Sequence, residues 1–143
     1  MKRVEVLCAD DSAINRRFIT AVLERAGCAV HCVWDGLEAW KIIRADPERF
    51  DLLITDHDMP EMTGLELISK LEELGFPGRI IMNSATINSE DLLPHAHRDF
   101  VTLLGKPVNP TILLATIAEL GFGVEEEFDF DSPLAAARVM REV

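Results

Sequence analysis

Short apolar runs alternate with longer amphipathic stretches along most of this chain. Five apolar runs of four to six residues, each bounded by turn or charged residues, predict β-strands at 4–9, 29–34, 52–55, 79–83 and 100–104. The run at 52–55 is flanked by Asp51 and Asp56, and polar residues do not alternate with apolar ones inside it. It therefore predicts a strand that is buried on both faces, as in a parallel sheet.

Between these runs, apolar residues recur every three or four positions, which predicts helices. The expected inner faces, in chain order, are Ile14, Phe18, Val22 and Arg25-Ala26; Leu37, Trp40 and either Ile43 or Arg44; Leu67, Leu71 and Leu74; and Leu113, Ile117 and Leu120. Residues 89–97 predict one more helix with Ser89 as its cap, short or kinked because Pro94 lies inside it. Alternating strands and helices indicate an α/β domain with a parallel sheet and right-handed crossovers.

The end of the chain differs in composition from the rest. Residues 124–131 form an acidic linker, and Ser132-Pro133 predicts the start of a short helix over 134–143. We therefore expect a domain over residues 1–122 and an extension over 123–143. We expect no DNA-binding or catalytic output domain after Gly121, because the remaining stretch is too short to build one.

Charge and cysteine content narrow the class of protein. The net charge of −11 argues against binding to a nucleic-acid backbone, which needs a basic surface. Lys and Arg are absent between Lys106 and Arg138, so we expect a solvated acidic tail or, alternatively, a docking surface for a basic partner. The sequence shows no transmembrane span or signal peptide, and its three cysteines lack metal-site spacing, which favours reduced thiols in the cytoplasm.

Candidate chemistry lies where the predicted strands end. Asp10 and Asp11 follow the first strand, Asp56 the third, Ser84 the fourth and Lys106 the fifth. In a parallel sheet these positions share one edge, where clustered carboxylates repel one another unless they hold a hard cation such as Mg²⁺. A lysine and a hydroxyl beside that cation would suit a phosphoryl group, and a carboxylate can itself be the attacking oxygen.

These motifs together resemble the receiver domain of bacterial response regulators. The matching pieces are Asp10-Asp11, the D-x-x-M-P-x-M-x-G run at 56–64, Ser84-Ala85 and Lys106-Pro107, spread over residues 1–121. The segment 30–39 is also similar to the second loop and helix of that family. The start at 10–16 resembles, in particular, receivers attached to hybrid histidine kinases.

The resemblance implies a flavodoxin-like (βα)5 doubly wound sheet with strand order 2-1-3-4-5. It implies that Asp56 accepts a phosphoryl group from a histidine kinase or histidine phosphotransfer protein, with Ser84 and Lys106 contacting that group. It also implies that Mg²⁺ is bound by Asp10, Asp11, Asp56 and the backbone carbonyl of Asp58, and that the Lys106–Pro107 bond is cis. Such a module is not an enzyme beyond its own phosphorylation and dephosphorylation. It signals through altered contacts with a downstream protein, with a homodimer possible and no nucleic acid or membrane involved.

Two features depart from the family pattern and keep alternatives open. Leu103 stands where the family usually has an aromatic ring, and residues 97–100 replace the usual small-residue turn. A phosphorylation-independent docking module of the same fold is therefore one alternative. A haloacid-dehalogenase-type phosphatase is another, because Asp56-x-Asp58 resembles its nucleophile loop, although Pro60 and the position of the acidic pair argue against it. The Asp58 side chain either tunes hydrolysis of the acyl phosphate or is an exposed loop acid. Met59 and Met62 are expected to pack the loop.

Overall fold

Five strands form the centre of the protein in a computed structural model that describes residues 3–85 and 100–124. They are β1 (Glu5–Ala9), β2 (Ala29–Val33), β3 (Leu52–Asp56), β4 (Arg79–Ser84) and β5 (Val101–Gly105). Each lies within one residue of its predicted bounds. The bounded apolar runs therefore located every strand of the described sheet.

All strand pairs of this sheet are parallel, and their order is β2-β1-β3-β4-β5. The order implied by the resemblance is thus confirmed. The central strand β3 is buried at every residue, as predicted from its unbroken apolar run. Its last residue, Asp56, is paired in register with Asn83 of β4.

Four helices are described, and a polar side chain caps the start of each. They are α1 (Ala13–Arg25), α2 (Gly36–Ala45), α3 (Gly64–Leu74) and α4 (Pro110–Glu119). Thr63 and Glu66 form a reciprocal capping box on α3, and Gly75 ends that helix in a left-handed conformation. The predicted helix at 89–97 and the extension at 125–143 lie outside the described residues.

The helices cover the two faces of the sheet and create two apolar layers. On one face α2 and α3 pack against Leu7, Leu53 and Ile80, and on the other α1 and α4 pack against Val6, Ile54 and Ile81. This arrangement confirms the doubly wound α/β class. Among the described residues, none of the helices has the length and apolarity needed to cross a membrane.

The helix faces differ in detail from those predicted. Ile14 is 65% exposed rather than buried, and the core residues of α1 are Ile19, Val22 and Leu23. Ile14 lies in the first turn of α1, which begins just after the carboxyl end of β1 and so extends past the strands beneath it. In α2 the small residues Gly36 and Ala39 face the core with Ile43. Leu37 and Trp40 are only partly buried at its side.

Candidate functional site

The predicted site residues do meet at the carboxyl edge of the sheet. Asp10 and Asp11 directly follow β1, Asp56 ends β3, Ser84 ends β4, and Lys106 directly follows β5. Each strand delivers its polar residue there because parallel strands all end on the same side. The strand-end rule therefore placed these side chains correctly.

Three carboxylates form the centre of this edge. Asp10, Asp11 and Asp56 each offer an oxygen within 4.8 Å of the others. Asp10 and Asp56 are only 2% and 3% exposed, whereas Asp11 is exposed. Burial, helped by the negative charge of Asp56, raises the pKa of Asp10 above its ordinary value. The hydrogen bond that the Ser12 N–H donates to Asp10 Oδ1 at 2.8 Å offsets only part of this rise.

Lys106 places a positive charge next to Asp56. Its Nζ lies 2.8 Å from Asp56 Oδ2. Burial alone would lower the pKa of Lys106. The hydrogen bond to Asp56 and the charges of Asp56, Asp10 and Asp11 outweigh this effect, so its pKa is raised. Lys106 is therefore a fixed cation at neutral pH, and it acts as a charge partner rather than as a base.

The second carboxylate oxygen of Asp56 has no partner among the described residues. Asp56 Oδ1 is fully buried and accepts no hydrogen bond. An unpaired buried carboxylate oxygen is costly, and it stands beside two further carboxylates. Oxygen donors of this kind suit a hard divalent cation, so the residues present fit Mg²⁺.

The loop after Asp56 packs closely against the backbone of Asp56 and His57. Met59 and Met62 are buried against the α2 and α3 side of the core, which confirms that they pack the loop. The Gly64 N–H donates to the His57 carbonyl at 2.8 Å, and a Cβ at Gly64 would lie 2.6 Å from the Asp56 carbonyl oxygen. A side chain at position 64 would therefore push the loop away from the site. Asp58 in the same loop is exposed, and its side chain does not belong to the carboxylate cluster.

Ser84 and the β5 connection complete the edge. Ser84 is buried, and its carbonyl accepts the Lys106 N–H at 3.1 Å, so the two residues are held side by side. The Lys106–Pro107 peptide is cis, as the resemblance implied. Leu103 is partly buried against the α2 and α3 layer.

Two residues near the site received no role from the sequence. Asn83 is 1% exposed, faces Asp56 in register, and its Oδ1 has no hydrogen-bond partner in the described structure. A polar residue inside an otherwise apolar strand was the available signal. Arg16 of α1 donates from Nη1 to the Asp10 carbonyl at 2.6 Å. No pattern indicated this contact, because it depends on how α1 is rotated over the sheet.

The comparisons with known proteins agree with this geometry. The sequence profile of the response regulator receiver domain matches residues 6–118. The chain belongs to the response regulator receiver domain family.

Its similarity to individual members covers most of the described receiver domain. A two-component response regulator of rice, ORR7, is 36% identical over 110 residues, which are 73% of this chain and 50% of that protein. Chemotaxis protein CheY4 of Vibrio cholerae has a TM-score of 0.73 and 30% identity, covering 82% of this chain and 98% of CheY4. CheY in a CheX–CheY–BeF3–Mg²⁺ complex from Borrelia burgdorferi has a TM-score of 0.76 and 25% identity, over 83% and 90% of the two chains.

Family membership answers the coarser functional questions. The receiver domain is a phosphoacceptor module of two-component signalling and not an enzyme in the usual sense. It resembles half of ORR7, so the activity of a whole protein does not follow from that relative. Family membership also decides against the alternative prediction of a haloacid-dehalogenase-type phosphatase.

Proposed function

We propose that Asp56 is the phosphoacceptor of this receiver domain and that Ser84 and Lys106 bind the transferred phosphoryl group. The observation that carries the proposal is the unequal state of the two Asp56 oxygens. Oδ2 is 2.8 Å from Lys106 Nζ, whereas Oδ1 is buried and unpartnered beside Asp10 and Asp11. Lys106 thus holds one oxygen, and the other keeps lone pairs that no described residue uses, which leaves Asp56 able both to bind a cation and to attack phosphorus.

The other two carboxylates are less suited to this role. Asp10 Oδ1 accepts a hydrogen bond from the Ser12 N–H at 2.8 Å, which holds that side chain in place at the start of α1. Asp11 is exposed and therefore keeps a hydration shell that an attacking oxygen must lose. Asp56 Oδ1 is the one oxygen of the described cluster that is both fully buried and without a hydrogen-bond partner among the described residues.

The reaction we propose is a direct phosphoryl transfer. A carboxylate oxygen of Asp56 forms a bond to phosphorus while the bond from phosphorus to the donor imidazole nitrogen breaks, and the imidazole leaves with that electron pair. Lys106 neutralises the negative charge that arrives with the phosphoryl group, and the Ser84 hydroxyl donates a hydrogen bond to it. The raised pKa of Lys106 keeps it charged throughout.

Asp10, Asp11 and Asp56 would hold Mg²⁺ together with the backbone carbonyl of Asp58. When bound, Mg²⁺ supplies the positive charge that offsets the carboxylates and the phosphoryl oxygens. Support comes from the oxygen cluster, in which all three donors lie within 4.8 Å of one another. The Borrelia CheY complex, which contains Mg²⁺, has the same fold.

The donor in this proposal is a histidine kinase or a histidine phosphotransfer protein, and the output is an altered contact with a downstream protein. A receiver over residues 1–122 would carry this function, with 123–143 as an extension. The free thiols of all three cysteines are consistent with the cytoplasmic location that we propose. Leu103 lacks a ring, so we propose that the output does not use an aromatic switch at this position.

The experiment is phosphorylation with acetyl phosphate or phosphoramidate, with and without Mg²⁺, followed by intact mass. We expect wild type to gain one phosphoryl group only with Mg²⁺ and Asp56→Asn to gain none. Asp58→Asn is the matched control, because it removes an exposed carboxylate from the same loop and leaves the acceptor in place. Loss of the adduct in both variants would contradict the assignment of Asp56.

Two further outcomes would contradict the proposal. Repeated turnover of the donor without an adduct would contradict a stable phosphoacceptor at Asp56. Neither adduct nor turnover in a folded protein would favour the phosphorylation-independent docking module. Circular dichroism of each variant separates these outcomes from a failure to fold.

A further inference from the structure

Two cysteines lie side by side on the sheet face that packs against α1. Cys8 of β1 and Cys32 of β2 are direct partners in the parallel register. Paired residues on neighbouring strands point to the same face, so both thiols lie beneath α1. Cys8 is completely buried, whereas Cys32 is only partly buried and lies on β2, the edge strand of the described sheet. A small reagent in solution can therefore reach Cys32, whereas Cys8 lies deeper in the core.

The surroundings of Cys32 favour its thiolate. The Thr20 hydroxyl and Cys32 Sγ share a hydrogen bond of 3.1 Å. Arg16 lies one helical turn before Thr20 on the same face of α1 and brings a positive charge. The pKa of Cys32 is lowered to about 6, first by a hydrogen bond with Cys8 and then by Thr20 and Arg16, against burial and Glu24.

Cys28 provides an internal comparison. It is also free and buried, but burial raises its pKa to about 11, and the charge of Arg3 compensates only in part. An ordinary buried thiol in this chain is thus protonated at neutral pH. Cys32 differs from it through its hydrogen bonds and its partly buried position on the edge strand β2.

We propose that Cys32 and Cys8 form a peroxide-reactive dithiol, with Cys32 as the attacking thiol and Cys8 as the resolving thiol. The Cys32 sulfur attacks one oxygen of a hydroperoxide, the O–O bond breaks, and Cys32 becomes a sulfenic acid as the peroxide is reduced to water or an alcohol. The Cys8 sulfur then attacks the Cys32 sulfur, and the hydroxyl group leaves as water with the Cys8 proton. The products are a Cys8–Cys32 disulfide and reduced peroxide, and the proposal is independent of phosphorylation at Asp56.

The backbone geometry permits this bond. Neighbouring strands lie about 4.8 Å apart, and disulfides join Cα atoms that are roughly 4.4–6.8 Å apart. The direct pairing of Cys8 with Cys32 therefore brings them into range without a change of register. Cys28 has no such partner among the strand pairs of the described sheet.

The test treats reduced wild-type protein with a small excess of hydrogen peroxide, blocks the remaining thiols with an alkylating reagent and maps the peptides. We expect an intact mass lower by two hydrogens, a peptide that links Cys8 to Cys32, and Cys28 recovered in alkylated form. Cys28→Ser should behave as wild type. Cys32→Ser should form no link, and Cys8→Ala should carry a sulfenic acid at Cys32 that dimedone traps.

Thr20→Val sharpens the test because it removes the hydroxyl next to Cys32 and keeps the side-chain shape. We expect Cys32 to react more slowly with peroxide in this variant, while Cys28 is unchanged. Oxidation of Cys28 as fast as Cys32 in wild type would overturn the proposal. So would the absence of a link at a peroxide dose that oxidises glutathione in the same tube, or a Cys32 sulfinic acid formed with Cys8 left reduced. Because these readouts use wild type, they do not depend on any variant folding.

Discussion

Leu53 in the interior of the sheet and Asp56 at its carboxyl edge are buried almost to the same extent, yet burial has opposite consequences in the two places. Leu53 in the middle of β3 is 0% exposed and lies in an apolar layer, where leaving water stabilises the fold. Asp56 at the end of the same strand is 3% exposed, and its neighbours are further carboxylates. Burial in the interior therefore stabilises the fold, whereas the buried charges at the edge lower its stability and supply the groups that we propose for phosphoryl transfer.

This contrast predicts which property each substitution changes. A change in the interior should lower the free energy of unfolding and leave phosphoryl transfer intact in the molecules that remain folded. A change among the charged groups Asp10, Asp56 and Lys106 at the edge should abolish or slow the transfer and leave stability equal or higher. The following predictions test this division, from the largest expected effect to the smallest.

Lys106→Met should slow phosphorylation from a small-molecule donor by about 100-fold, the usual effect of removing one group that stabilises charge in the transition state. The physical reason is the loss of the cation that lies 2.8 Å from Asp56. This loss of rate is measured by following adduct formation with intact mass. Lys41→Met is the control, because Lys41 pairs with Glu38 at 3.9 Å on the exposed surface of α2. An equal loss of rate in both variants would show that general charge, and not Lys106, controls the reaction.

Leu53→Ala should lower the free energy of unfolding by about 2–5 kcal/mol, since it removes buried methyl groups and leaves a cavity in the central strand. Urea denaturation followed by circular dichroism measures this loss. Ile14→Ala is the exposed comparison and should stay within about 0.5 kcal/mol of wild type. The folded fraction of Leu53→Ala should still be phosphorylated with Mg²⁺. If it is not, the interior and the edge are not separable in the way we describe.

How far the sequence predicts this molecule depends on whether a feature is local. The strands were predicted within one residue because each is a bounded apolar run, and the sheet order followed from the family resemblance. The inner face of α1 was shifted, with Ile14 exposed and Ile19 buried, because the rotation of a helix is set by the sheet beneath it. A period of apolar residues gives a face but does not say which strands lie under it.

The candidate site divides in the same way. Asp10, Asp56 and Lys106 were predictable because each stands at a strand end, where a simple rule places it. Two features were not predictable from the sequence. They are the different partners of the two Asp56 oxygens and the pairing of Cys8 with Cys32. Both depend on register between strands that are distant in the chain, and a single sequence does not encode register in a local pattern.

Asp10→Asn should stabilise the protein without Mg²⁺, by an amount on the order of 1 kcal/mol that is typical of single substitutions. The raised pKa of Asp10 means that the folded state binds its proton more tightly than the unfolded state. The charged carboxylate therefore costs stability once the pH exceeds its unfolded pKa. The difference between the variant and wild type should be small near pH 3.5, grow as the pH rises through the raised pKa, and then level off.

Thermal unfolding across this pH range, with and without Mg²⁺, measures that difference. Added Mg²⁺ should raise the melting temperature of wild type more than that of Asp10→Asn, because a ligand stabilises only the state that binds it. Glu24→Gln is the control, since Glu24 is an exposed acid of α1 outside the carboxylate cluster. A variant that is less stable than wild type at neutral pH without Mg²⁺ would contradict the idea that the edge is destabilised by its own charges.

Thr63→Ala should cost about 1 kcal/mol, the usual loss for an N-cap, although Thr63 stands at the same edge as the acids. Its hydroxyl accepts the Glu66 N–H at 3.2 Å, and the Glu66 carboxylate accepts the Thr63 N–H at 3.3 Å. Thr63→Ser keeps this hydroxyl and should stay close to wild type by urea denaturation, because serine is at least as good an N-cap as threonine. Phosphorylation should be unchanged in both, because the cap holds α3 and touches no group of the carboxylate cluster. Equal losses for Ser and Ala would mean that the methyl group and not the hydrogen bond matters. Stability at this position of the edge would then depend on side-chain packing, as it does in the interior.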